Sequence, residues 1–103
     1  MICIDSLFTL GVEINRRLGK SAHLVSDLPG EEGTTELVAF ARRIGMRSAW
    51  IQKAGTEHEH FDVFEGRYQR ALDAGAKVVT RLELVTIFRA KRAHAAQLKG
   101  GPR

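Results

Sequence analysis

The chain of 103 residues has 44% hydrophobic and 27% charged residues, values near the average for soluble globular proteins, and its length allows one domain with one core. This composition excludes a fibrous or disordered architecture, and the apolar runs are too short for a membrane span, which needs about 20 consecutive apolar residues. The formal net charge of +4 keeps nucleic acid among the candidate partners.

The start of the chain and its single cysteine predict a soluble protein of the cytoplasm. Residues 1–5 lack the basic and long apolar regions of a secretory signal. Cys3 cannot form an internal disulfide, which agrees with a reducing compartment. Its apolar neighbours predict a small core residue rather than a nucleophile.

The first strand is predicted at residues 1–4, which are almost wholly apolar, as expected of a strand covered on both faces. Asp5 follows where this strand leaves the sheet. Ligands collect at the carboxyl ends of parallel strands, so Asp5 is a candidate site residue, unless it only caps a turn with Ser6. Residues 6–21 are irregular and are interpreted as an ordered loop or a hairpin arm.

The second strand is predicted at residues 22–26 and is followed by Asp27. On a strand, His23 and Val25 share one face. His23 is therefore either a site residue or a hydrogen-bonded histidine of the core, and both interpretations stay open.

The first helix should follow a loop at residues 28–33, with Thr34 or Thr35 as its N-cap and Gly45 as its end. Its apolar residues recur at helical spacing and form one stripe, which consists of Leu37, Phe40, Ala41 and Ile44. We interpret this helix as scaffold.

A third strand is predicted at residues 49–51, followed by a polar loop at residues 53–59 around Gly55. Apolar residues then return to the core at Phe61, Val63 and Phe64.

A second helix is predicted at residues 65–74, with Gly75 at its end and with Tyr68, Ala71 and Leu72 on its buried side. A short strand should follow at residues 77–79. Thr80 and Glu83 have the spacing of a capping box and predict the start of a third helix. The apolar positions of that helix are Leu82, Val85 and Phe88, supported by Leu84 and Ile87.

This order of elements predicts an α/β fold, with a small mixed sheet of about four short strands packed with about three helices. Residues 1–92 should form a single compact domain. Residues 93–103 form a basic, alanine-rich tail that we expect to fray.

Six runs of the sequence carry a resemblance to a known family. They are Ile-Asp at 4–5, Ala-His-Leu-Val-Ser-Asp at 22–27, Glu-Leu-Val-Ala-Phe-Ala-Arg-Arg-Ile-Gly at 36–45, Trp-Ile-Gln at 50–52, His-Phe-Asp at 60–62 and Ala-Gly-Ala-Lys-Val-Val-Thr-Arg-Leu-Glu-Leu-Val at 74–85. Together they resemble the small bacterial and phage proteins of the domain of unknown function 4031 family. The resemblance extends to about residue 90 and implies no activity.

This chain departs from the family pattern at two apolar positions. The family usually has His-Tyr-Asp and Trp-Phe-Gln where this chain has Phe61 and Ile51 at the central positions. The insertion at residues 30–34 and the additional His58 and Glu59 are also less typical. The polar set of the family is kept, and its members are our catalytic candidates: Asp5, His23, Asp27, Gln52, His60 and Asp62.

The dense polar segment at residues 52–62 has three interpretations. Imidazole and carboxylate groups suit Zn²⁺, Mn²⁺ or Fe²⁺, and on a strand His58, His60 and Asp62 would point to one side as metal ligands. Without a metal, His60 would act as a general acid or base oriented by Asp62 or Asp27. The third interpretation is a structural network that holds the loop to the sheet.

Two classes of function follow. One is a small metal-assisted hydrolase acting on a phosphoester, in which Arg67 or Arg70 would hold the anionic group. The other, favoured by the small size, is a binding or accessory module, such as a phage-encoded inhibitory protein, that acts on nucleic acid or a nucleoprotein complex. The basic residues proposed for that contact are Arg81, Arg89, Lys91 and Arg92. A homodimer through the apolar arm at residues 6–14 would add a cleft between subunits.

Overall fold

The structure, a computed structural model, describes residues 1–7 and 20–100, with side chains as far as residue 97. Within these residues a single sheet has the strand order β3-β2-β1-β4, and three helices pack with it. The strands are β1 Ile2–Ile4, β2 Ser21–Ser26, β3 Phe61–Phe64 and β4 Lys77–Val78; the helices are α1 Gly30–Arg43, α2 Glu65–Asp73 and α3 Arg81–Gly100. The predicted α/β fold with a small mixed sheet is confirmed.

The sheet is mixed because β1 pairs antiparallel with β2 and parallel with β4. Strand β2 also pairs antiparallel with β3, where His23 lies opposite Asp62. The ladder between β1 and β2 continues past Ile4, since the backbone N–H of Asp5 donates to the His23 carbonyl at 3.2 Å. Asp5, His23 and Asp62 therefore form one row across three neighbouring strands.

Successive side chains of a strand point to opposite faces, and this divides the apolar residues into two clusters. Ile4, Leu24 and Phe61, all without solvent exposure, belong to the larger cluster, which also contains the stripe of α1 and Ala71 of α2. Cys3 and Val25 pack on the other face with Leu84 of α3. The prediction that Cys3 is a core residue is confirmed.

Helix α1 begins at Gly30, so the prediction of Thr34 or Thr35 as its N-cap was wrong. Pro29 occupies the N-cap position, and the Thr34 hydroxyl donates instead to the carboxylate of Glu59 at 2.7 Å. A side chain at residue 33 would collide with the Leu28 carbonyl oxygen, because a Cβ there would lie 1.9 Å from it. The apolar stripe is buried and Gly45 ends the helix with φ of +87°, both as predicted.

The third strand is Phe61–Phe64, and the strand predicted at residues 49–51 was wrong. The Ser48–Trp50 segment is a turn of 3₁₀ helix, which leaves Trp50 44% exposed. Beyond this turn, a bridge between Gln52 and His60, with hydrogen bonds of 2.8 and 3.1 Å, ties the chain to the sheet. A short apolar run has the same pattern in a strand and in a helical turn, so periodicity alone could not separate the two.

Helix α3 opens with the predicted capping box: Thr80 N–H donates to Glu83 at 2.8 Å, and Glu83 N–H donates to the Thr80 hydroxyl at 3.1 Å. Leu82, one of the predicted apolar positions of this helix, is 75% exposed, and Leu84 is buried instead. The helix continues past the boundary predicted at Arg92.

None of the helices in the described residues is both long enough and apolar enough to cross a membrane. Most of the arm predicted at residues 6–21, and with it most of the proposed dimer contact, lies outside the described residues.

Candidate functional site

Two histidines and a carboxylate meet on the sheet face that α3 covers in part. His23 of β2 lies opposite Asp62 of β3, and His60 lies two residues before Asp62. One ligand atom from each of the three lies within 4.8 Å of the other two. The two imidazole rings meet edge to face, with 5.1 Å between their centroids. We call these three residues the His-His-Asp cluster.

The ring of His23 is held in one orientation by Asp5, whose side chain is 6% exposed. One carboxylate oxygen of Asp5 accepts the backbone N–H of His23 at 2.6 Å, and the other lies 2.9 Å from its Nδ1. Because an ionised carboxylate can only accept, Nδ1 carries the hydrogen, and Nε2 is the nitrogen that can offer a lone pair in the neutral ring.

The ring of His60 is oriented by backbone. Its Nδ1 lies 2.8 Å from the carbonyl oxygen of His58, which is also only an acceptor, and its Nε2 lies 3.3 Å from Asp62 Oδ1. Burial lowers the pKa of His60, but the hydrogen bonds to Asp62 and His58 outweigh it, and the pKa lies above its ordinary value. The hydrogen bond from His60 lowers the pKa of Asp62, against the effect of burial.

Without a bound ion, we expect the His60–Asp62 pair to stabilise the fold in a limited pH window. The pKa of His60 is raised on folding, so its contribution is complete below about pH 6.5 and is lost as the pH rises through the folded pKa. The pKa of Asp62 is lowered, so its contribution is complete above about pH 3.9 and is lost as the pH falls through the folded pKa. In chelator, the Tm difference between the native chain and His60→Gln should be larger at about pH 5.5 than at about pH 8.5. Equal differences at both would contradict this.

The His-His-Asp cluster fits a small divalent ion in ligand type and in spacing. Metal–ligand bonds of about 2.0–2.2 Å in a tetrahedron place ligand atoms roughly 3.3 Å apart. The 3.3 Å between His60 Nε2 and Asp62 Oδ1 already has this value. Because all three ligand atoms lie within 4.8 Å, side-chain rotation of about 1.5 Å would complete the set.

The other predicted site residues lie at varying distances from this cluster. Gln52 adjoins it through its backbone bridge to His60. Asp27 lies beyond the opposite end of β2 and binds the terminal amino group of Met1 at 2.6 Å. His58 precedes β3, and its ring packs edge to face on Phe88 of α3 with 4.9 Å between centroids. The H-x-H-x-D row therefore does not form, and His23 stands in the place expected for His58.

The four basic residues predicted to contact nucleic acid differ in their exposure and in their contacts. Arg81 and Arg89 lie exposed on α3. Lys91 is 5% exposed and donates from Nζ to the Ser26 carbonyl at 3.0 Å, and burial lowers its pKa against the charge of nearby carboxylates. Arg92 lies 3.8 Å from the carboxylate of Glu57.

Lys91 belongs to a polar cluster between α3, α1 and the loop, which the sequence reasoning missed. Its second buried member is Glu59, 2% exposed, which accepts from the Thr34 hydroxyl and from the Gly55 N–H at 3.0 Å. These contacts anchor the loop that supplies His58 and His60. Sequence spacing gave no signal for the long-range contacts, because Lys91 and Ser26 are 65 residues apart and Thr34 and Glu59 are 25 apart.

A groove of about 670 Å³ opens beside Asp62, and we call it the Trp50 groove. Its lining residues are Met46, Ala49, Trp50, Ile51, Gln52, Asp62, Phe64, Gly66 and Arg67. The Arg67 guanidinium lies 5.4 Å from the Trp50 ring centroid, and its buried Nε has no hydrogen-bond partner within the described part of the chain. The groove thus joins an aromatic ring and a cation to the His-His-Asp cluster.

Fold and site together define a small α/β protein with two histidines and a carboxylate clustered on its sheet. The chain belongs to the family described as Protein of unknown function (DUF4031), whose model matches residues 11–91. The resemblance seen in the sequence is thereby confirmed. No curated protein and no solved structure matches the chain.

Proposed function

We propose that this protein is a small hydrolase that uses one divalent metal ion to cleave a phosphoester. The supporting observation is the orientation of two histidines. Nδ1 of His23 faces the Asp5 carboxylate and Nδ1 of His60 faces the His58 carbonyl, so each ring can bind a metal through Nε2. Histidines that bind metals usually donate their other ring N–H to a carboxylate or a carbonyl in this way.

The ligand set suits catalysis as well as binding. The three protein ligands would leave one coordination position for water, and a bound Zn²⁺ would lower the pKa of that water to about 7. In the proposed reaction, the water oxygen forms a bond to phosphorus, the bond from phosphorus to the leaving oxygen breaks, and one water proton passes to that oxygen. Arg67 in the adjoining groove would offset the charge of the phosphoryl oxygens.

The first test is metal binding by untagged protein that has been dialysed against a chelator and titrated with Zn²⁺ and Mn²⁺ in a calorimeter. We expect one ion per native chain, and His23→Gln and His60→Gln should each lose at least about tenfold in affinity because a direct ligand is removed. The matched control is His58→Gln, whose ring packs on Phe88 and whose backbone carbonyl is unchanged. Equal affinity in all four proteins, or no binding in any, would refute the proposal.

The second test is hydrolysis of an aryl phosphate by the same proteins. We expect the native chain and His58→Gln to release phosphate with metal and to stop in chelator, while His23→Gln and His60→Gln stay inactive with metal. Activity that persists in chelator would overturn the metal-dependent reaction and favour acid-base catalysis by His60 with Asp62.

The alternative function, a module that binds nucleic acid through α3, has less support. At least two of its four basic residues are engaged within the protein, because Lys91 is buried and donates to the Ser26 carbonyl, and Arg92 lies near Glu57. Arg81 and Arg89 are exposed, which alone is common on the surface of a basic domain. We therefore place this proposal second.

A further inference from the structure

The Trp50 groove has the size and the lining of a site for a small ligand with a flat ring. Its volume of about 670 Å³ lies within the range of about 300–1,000 Å³ that is usual for such sites. Met46, Ile51 and Phe64 give it an apolar wall, and the indole of Trp50 stays 44% exposed beside them. A planar heterocycle would cover this apolar and aromatic surface by stacking.

The same groove holds a cation whose hydrogen bonding is incomplete. Nε of Arg67 is buried, and no partner within residues 1–7 and 20–97 accepts its hydrogen. Leaving a buried N–H unpaired is costly, and arginine stays charged at all physiological pH values. An oxygen of an anionic ligand would supply the missing acceptor and offset the charge.

Asp62 lines the groove and is also a member of the His-His-Asp cluster. Its position therefore determines how a phosphate near Arg67 and a metal in the cluster would influence each other. A phosphate placed near Arg67 would be repelled by the Asp62 carboxylate unless a divalent ion lay between them. Binding of the phosphate should therefore strengthen when the cluster holds a metal, whereas binding of the ring should not change.

We propose that the Trp50 groove binds a nucleotide, with the base packed against Trp50 and the phosphate directed to Arg67 and to the metal held by Asp62. The place of the metal rests on the proposed function. Contact of the base with Trp50 and of the phosphate with Arg67 does not.

Trp50 is the only tryptophan of the chain, so its fluorescence reports on this groove directly. We would titrate the protein with AMP, adenosine and ribose 5-phosphate, each in chelator and with Zn²⁺. AMP should quench saturably and at least about tenfold more tightly than adenosine or ribose 5-phosphate, because each of these makes only part of the contacts. Zn²⁺ should strengthen AMP binding and leave adenosine unchanged.

Two pairs of variants locate the contacts. Arg67→Gln should weaken AMP at least about tenfold without affecting adenosine, whereas Arg70→Gln, an exposed arginine of the same helix, should bind as the native chain does. Gly66 lines the groove, and a Cβ placed there meets no atom within 4 Å, so the fold accepts a side chain. Gly66→Leu should therefore block AMP binding, and Gly66→Ala, with its smaller side chain, should retain AMP binding.

The outcomes separate this inference from the proposed hydrolase. AMP binding in chelator that depends on Arg67 would support the groove even if the cluster bound no metal. Metal binding and aryl phosphate cleavage without saturable AMP quenching would refute the groove alone. Equal affinities for AMP and adenosine, or native binding by Arg67→Gln, would also overturn the inference.

Discussion

Replacing Asp5 with asparagine is expected to weaken metal binding by about 10- to 100-fold while the chain stays folded. The amide has the shape of the carboxylate, so its oxygen can still accept the backbone N–H of His23. In the native chain that nitrogen lies 2.6 Å from Asp5 Oδ1. Its NH₂ group then faces Nδ1 of His23, where a carboxylate oxygen lies at 2.9 Å. Two donors cannot share this contact, so the hydrogen must move to Nε2, which removes the lone pair that would bind the metal.

Competition with a chromophoric chelator would measure the affinity for Zn²⁺, and nitrogen chemical shifts of His23 would report the tautomer. The matched control is Asp27→Asn, because Asp27 was an equal candidate in the sequence but pairs with Met1 in the structure. We expect that control to bind Zn²⁺ as the native chain does. An Asp5→Asn variant with native affinity would show that Asp5 does not position a metal ligand.

Replacing Leu84 with alanine is expected to lower the free energy of unfolding by about 2–5 kcal/mol, and the same change at Leu82 by less than about 0.5 kcal/mol. Leu84 is 5% exposed and packs on Cys3 and Val25, whereas Leu82 is 75% exposed. Both lie in the first turns of α3, so the change in helix propensity is the same. The difference between the two variants therefore isolates the burial of one side chain.

Urea denaturation of both variants at one pH would supply the two free energies, and equal slopes would show that the extent of unfolding is the same. If both variants lost the same free energy, α3 would not pack on this face through Leu84. That face also carries the His-His-Asp cluster, so the same result would question the position of His58 against Phe88.

The residue types of the candidate site could be predicted from the sequence, but only some of the individual residues could. Asp5, His23, His60 and Asp62 were all named from the sequence, because polar residues next to short apolar strands indicate a site. His58 and Asp27 carried the same local signal and lie elsewhere. The register of β2 with β3, which sets His23 opposite Asp62, joins residues about 40 positions apart and leaves no trace in local spacing.

The Trp50 groove could likewise be predicted only in part from the sequence. The sequence indicates Arg67 as one of two arginines able to hold an anion, but it gives no sign that Arg67 lies beside Trp50. The apolar run around Trp50 predicts a strand. As a 3₁₀ turn, the segment instead leaves the ring exposed beside Arg67.

Features that depend on neighbours along the chain could be predicted from the local sequence: the apolar stripe of α1, its end at Gly45, and the capping box of Thr80 and Glu83. These follow from helical periodicity and from hydrogen bonds over three or four residues. Local sequence could not predict which segment forms the third strand, which leucine of α3 is buried or which histidine joins His60. Those outcomes depend on strand pairing and packing between distant segments, where many local patterns compete for the same buried positions.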